Sequence, residues 1–111
     1  MAQTHARSGE VVDVRPLAER FADARTTAIL KSDQLELVRV VLPAGKGLKE
    51  HRAPGEITVL CLEGCIEFST PAGLQRMAPG DLIHLRANEA HALHAPVDAS
   101  ALVTLCIAKG G

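Results

Sequence analysis

Turn residues divide this chain into short apolar runs, and that rhythm excludes most folds. Pro43-Ala44-Gly45, Gly64, Pro71-Ala72-Gly73, Pro79-Gly80-Asp81 and Pro96-Val97-Asp98 separate runs rich in Val, Ile, Leu and Thr. Glycine supplies the positive φ of tight turns and proline cannot donate to a sheet ladder, so each cluster ends a strand. The runs so delimited are 26–31, 35–42, 56–63, 65–68, 74–77, 82–85, 91–95 and 101–107, with 45–54 as a loop. Seven or eight short strands with turn signals about every 8–12 residues predict an all-β sandwich or barrel. Val59–Leu62 is apolar at every position, which calls for cover on both faces, from a second sheet or from a partner subunit. A short helix is expected only at 16–25, where Pro16 suits a first helical position and Leu17, Phe21 and Ala24 recur at i, i+4 and i+7.

With 111 residues, the chain fits one domain. It is expected to span 1–111, with residues 1–10 as a flexible arm and the barrel core at 26–108. The 12 basic and 13 acidic residues are scattered singly and sum to a net charge of -1, so no patch for nucleic acid is expected. Residues 1–9 are polar and lack the apolar stretch of a secretory signal, and the longest apolar runs are too short to cross a bilayer. The expectation is therefore a cytoplasmic protein that neither enters a membrane nor binds nucleic acid. Three cysteines, Cys61, Cys65 and Cys106, each in an apolar run, fit buried reduced thiols. Phe21 and Phe68 are the only aromatic residues of the Phe, Tyr and Trp type, which argues against pockets built by stacking.

The chemical resource is histidine. His5 lies in the polar arm, whereas His51, His84, His91 and His94 fall in or beside strands, where imidazoles are held rigidly. No serine sits on a strand-to-helix elbow, and Gly45-Lys46-Gly47 is too short for a phosphate-binding loop. Lys46, Lys49 and Arg52 cluster in one loop, either as a solvated surface or as an anion contact near a pocket mouth.

Two stretches resemble the paired motifs of the cupin family. Gly45-Lys-Gly-Leu-Lys-Glu-His51-Arg-Ala53-Pro-Gly-Glu56, continuing to Gly64, resembles the first motif, G-x5-H-x-H-x(3,4)-E-x6-G. Gly73 through Pro79-Gly80-Asp81 to His91 resembles the second, G-x5-P-x-G-x2-H-x3-N. The resemblance implies a double-stranded β-helix, a jelly-roll barrel whose lumen holds a small-molecule ligand, and it implies a homodimer. It leaves open one divalent metal (Fe, Mn, Zn or Ni) or none. It also leaves open two functions, a binding protein and a metal-dependent enzyme of dioxygenase or isomerase type.

Metal-binding cupins use both histidines of the first motif, its glutamate and the histidine of the second. Carried over residue by residue, His51 and His91 stand at ligand positions, while Ala53 occupies the second histidine's place and Ala95 the terminal asparagine's. The count for the glutamate lands on Ile57, with Glu56 one residue out of register. A one-residue slip turns a side chain to the opposite face, unless a bulge after Pro54-Gly55 re-aims it. The expected metal set is thus His51, His91 and Glu56, with Glu56 as third ligand or general base. His84, His94 and Arg52 are candidate pocket residues, and Arg52 or Arg86 a candidate carboxylate clamp. His94 lies three residues after His91, so only one of the two faces inward on an extended strand. Glu63-Gly64 is expected as a hairpin tip and Phe68 as core, neither with a chemical role.

Overall fold

The computed structural model describes residues 5–107. Residues 1–4 of the expected arm and residue 108 of the expected core lie outside the described residues.

Among the described residues nine strands form two antiparallel sheets: β1 (Thr27–Lys31), β2 (Leu35–Leu42), β3 (Gly47–His51), β4 (Ile57–Glu63), β5 (Ile66–Thr70), β6 (Gly73–Met77), β7 (Leu82–Leu85), β8 (His91–His94) and β9 (Ala99–Cys106). One sheet has the order β1-β2-β9-β4-β7 and the other β3-β8-β5-β6. This is the jelly-roll barrel of the double-stranded β-helix, with the two inner faces closing on one core. Alternate residues of β2, β9 and β4 point inward: Val38, Val40 and Leu42, then Ala101, Val103 and Leu105, then Ile57, Val59 and Cys61. Ile66 and Phe68 meet them from β5 and are wholly buried. Each large side chain buried as fully as Val59, Ile66 or Phe68 stabilises the fold by about 1.5–3 kcal/mol relative to exposure.

The one strand absent from the expected pattern is β3, inside the segment 45–54 expected as a loop. All five of its residues are exposed, so no alternation of apolar and polar side chains marks it. It forms because its backbone completes the ladder of β8. Gly47 is required there: a Cβ would stand 2.2 Å from the Leu93 carbonyl oxygen.

The segment expected as a helix over 16–25 is a six-residue 3-10 helix, Ala18–Asp23. Of its apolar stripe only Leu17 is buried, and a single anchored residue does not propagate an α-helix. The segment before it lies on the outer side of the barrel. Ala6 N–H donates to the Ile29 carbonyl, and the buried Arg39 guanidinium donates to the Asp13 and Arg15 carbonyls.

Glu63, expected only at a hairpin tip, is the anchor of this segment. Its carboxylate accepts hydrogen bonds from Leu17 N–H at 3.0 Å, Ala18 N–H at 3.1 Å and the Ser100 hydroxyl. Ala18 sits at φ 52°, a conformation costing about 1–2 kcal/mol for a residue with a Cβ. The carboxylate holds it there. Burial alone would raise the Glu63 carboxyl, but the bonds from Ser100, Leu17 and Ala18, with the nearby Arg39 charge, hold it below the usual carboxylate range.

Candidate functional site

A cavity of about 330 Å³ opens into the barrel between the two sheets. Its walls are aliphatic: Val38 and Val40 from β2, Val103 and Leu105 from β9, Ile57 and Val59 from β4, Leu48 from β3 and Leu93 from β8. The side chains that break this surface with nitrogen are His51, His91 and Arg52. Sites for small molecules combine apolar walls with a few convergent polar groups at about 300–1,000 Å³, and this cavity is at the small end of that range.

His51 and His91 meet because β3 carries a bulge. Leu48 pairs with Leu93, but the next inward pairing is His51 with His91, so three residues of β3 span two of β8. Without the extra residue, alternation from the cavity-lining Leu48 would place Glu50 inward and His51 outward. With it, the two imidazoles stand 4.2 Å apart between ring centroids, tilted by 59°. His91 is buried, and Phe68 stacks parallel to it at 5.7 Å, which fixes the ring plane.

Local geometry fixes the histidine protons. His51 Nδ1 is 2.9 Å from the Lys49 carbonyl oxygen, and His91 Nδ1 is 3.0 Å from that of Glu89. A carbonyl only accepts, so each Nδ1 carries hydrogen and donates. In the neutral ring Nε2 is then an acceptor, and no side chain or main chain of the described residues donates to either Nε2.

The other expected site residues lie elsewhere. Glu56 does not join His51 and His91. It is exposed and pairs with His84 Nε2 at 2.6 Å on the outside of the barrel. The bulge that would have turned it inward is absent from the start of β4: Ile57 pairs in regular register with Leu85 and Leu105, and Glu56 O accepts from Cys106 N–H. Alternation therefore puts Ile57, 4 % exposed, in the lumen and Glu56 outside. His84 and His94 are both outward and exposed, so neither lines the cavity. His94 Nδ1 lies 2.9 Å from Glu67, which also pairs with Arg76. Arg52 does line the mouth, where Nη1 donates to the Asn88 carbonyl at 2.7 Å and ties the two rim loops together. Arg86 is exposed and absent from the lining. Of the cysteines, all free, only Cys61 is buried, and that burial pushes its thiol up; Cys106 is exposed.

The lumen does not fit a resident metal centre. Catalytic zinc and non-haem iron sites use three protein ligands, and the cavity supplies two imidazoles, with Ala53 and Ile57 where further donors would stand. No group of three or more His, Cys, Asp or Glu positioned for a metal occurs among the described residues. A larger cleft of about 650 Å³ lies between the 5–17 segment and β1–β2, lined by Glu10, Asp13 and Asp23 against Arg20, Arg25 and Arg39. Its charges are mixed and it has no convergent chemistry, so the smaller lumen cavity is the candidate site.

Comparison with known proteins agrees with this architecture. The cupin domain family matches residues 38–108. A cupin superfamily protein of Desulfitobacterium hafniense is 21 % identical, with 93 % of this chain and 100 % of that one aligned at a TM-score of 0.76. A conserved protein of unknown function from Streptococcus pyogenes is 22 % identical over 99 % of this chain and 100 % of that one, also at 0.76. A DMSP lyase from Ruegeria pomeroyi is 25 % identical over 78 % of this chain and 49 % of that one, at 0.67. No curated protein matches significantly. No helix among the described residues is long and apolar enough to cross a membrane.

Proposed function

The chain belongs to the cupin family, and from that membership we propose that it is a binding protein holding a small molecule in the lumen of its barrel. The observation that carries this reading is the aliphatic cavity of about 330 Å³ with His51 and His91 converging on it. Apolar walls supply affinity through burial, and the two imidazoles and Arg52 at the mouth orient the occupant. A metal-dependent enzyme, the alternative, needs a third donor, and Ile57 fills that position. The similarity to a DMSP lyase spans about half of that protein.

The barrel works as a cytoplasmic homodimer. Support for the dimer comes from the outer face of β4, where Leu60 aligns with Leu82 and Leu102, and Leu82 is 63 % exposed. Such a row on a sheet surface is suited to cover by a second copy.

The test is native mass spectrometry of untagged protein, with metal content measured beside His51→Ala and His91→Ala. A non-covalent organic molecule bound to wild type, with metal well below one equivalent, supports the reading. One equivalent of metal that both variants lose overturns it in favour of the enzyme.

A further inference from the structure

The chemistry of the cavity narrows the class of ligand, an inference that rests on the lumen-binding reading above. We propose that the ligand is a neutral aliphatic alcohol, its hydroxyl hydrogen donated to an Nε2 of the imidazole pair and its hydrocarbon body lying along the β2–β9 wall.

Because Nδ1–H of His51 and of His91 each donate to a main-chain carbonyl, each ring in its neutral form presents only an Nε2 lone pair to a ligand. His91 is 3 % exposed, and no side-chain nitrogen or oxygen of the described residues is sealed off without a partner. Its Nε2 is therefore reached from the cavity. Acceptors on two rings whose centroids lie 4.2 Å apart, set in aliphatic walls, select a hydrogen-bond donor over an acceptor.

Charge selects against the other donors and anions. An ammonium would surrender its hydration to a cavity without a carboxylate and with the Arg52 guanidinium at its mouth. A carboxylate would place its oxygens against two lone pairs, and Arg52, the one cation lining the cavity among the described residues, sits at the rim and is already bonded to Asn88. A hydroxyl needs one acceptor for its hydrogen and desolvates at lower cost than either ion. The walls set the body of the ligand: Val38, Val40, Val103 and Leu105 offer branched aliphatic surface and no aromatic face.

Isothermal titration calorimetry on untagged protein with 1-octanol and its constitutional isomer heptyl methyl ether tests this, because the two share size and composition and differ in the donor. Octanoate is the anionic comparison. The expected result is binding of octanol about tenfold tighter than the ether, since an unpaired polar group at a site built to hydrogen-bond it is costly. Octanoate should bind more weakly than octanol. Either single variant, His91→Phe on the Phe68 stack or His51→Phe on the more exposed strand, leaves one acceptor and should narrow the difference between the isomers, and the double variant should abolish it. Equal binding of both isomers to wild type, or tighter binding of octanoate, overturns the donor inference while leaving lumen binding intact. Binding of none of the three overturns the aliphatic-alcohol inference, whereas the lumen-binding reading stands or falls by the native mass spectrum.

Discussion

His51 and His91 stand directly opposite each other on adjacent strands, ring centroids 4.2 Å apart, because β3 carries one extra residue between Leu48 and His51. That pairing gives the lumen its polar character, and it does so without a carboxylate, since Ile57 stands where the count along the sequence places the motif's glutamate. The Glu56 side chain is spent instead on an exposed contact with His84.

The first prediction concerns that exposed pair. Glu56→Gln should change stability by less than about 1 kcal/mol, the usual scale of a solvated ion pair, and should leave metal content unaltered. Ala53→His with Ile57→Glu, by contrast, would add two donors beside His51 and His91. Metal analysis after incubation with Zn(II) or Mn(II) should find more metal in this double variant than in wild type. Loss of bound metal in Glu56→Gln would place Glu56 at the site and contradict the structure.

Glu63 makes stability depend on acid in a defined direction. Its folded carboxyl titrates below its unfolded value, about 4.3 for an ordinary glutamate. The contribution of the ionised form is therefore complete above that value and is lost as pH falls through the folded one. Glu63→Gln should cost about 1–3 kcal/mol at pH 7, from hydrogen bonds to Leu17, Ala18 and Ser100 that lose the charged acceptor. The difference between wild type and variant should shrink below about pH 4. Urea unfolding at pH 7 and at pH 3 measures both, and a difference that grows in acid would refute the assignment.

Gly64 is irreplaceable for two independent reasons. Its φ is +77°, and a Cβ there would lie 2.0 Å from the Asp98 carbonyl oxygen and under 3 Å from Ala99. The left-handed backbone and the collision with main chain together should make Gly64→Ala cost about 2–4 kcal/mol. Gly45, at a similar φ of +84° but with nothing near its Cβ position, should lose only the conformational part, about 1–2 kcal/mol. Thermal unfolding of the two variants side by side separates the terms, and equal losses would mean that the collision at Gly64 relaxes freely.

The fourth prediction addresses assembly. Leu82→Lys puts a charge on the outer row formed with Leu60 and Leu102. Light scattering should show a wild-type dimer and a variant shifted to monomer, with an unchanged far-ultraviolet circular dichroism spectrum. A dimer that survives the substitution would move the interface off this face.

Most strands are legible along the chain because turn chemistry is local. Pro43-Ala44-Gly45 ends β2, Gly64 separates β4 from β5, and Pro79-Gly80-Asp81 precedes β7, each through φ preferences or a missing donor that need no tertiary partner. The alternation of Ile57, Val59 and Cys61 likewise identifies an inward face before any partner sheet is known. His51 and His91 are legible as a pair only through their resemblance to the two cupin motifs.

What the chain alone left open depended on pairing with distant strands. β3 exists because β8 offers a ladder, and its bulge, which turns His51 inward, is a property of that pairing rather than of five exposed residues. Glu56 faces out because Ile57 registers against Leu85 and Leu105, contacts 28 and 48 positions away in sequence. Glu63 became an anchor because folding carries Leu17, Ala18 and Ser100 to its carboxylate from both ends of the chain. Local preferences determined where strands begin and end; the direction in which a side chain points within a sheet is set by register, and register is settled only when both sheets close on the core.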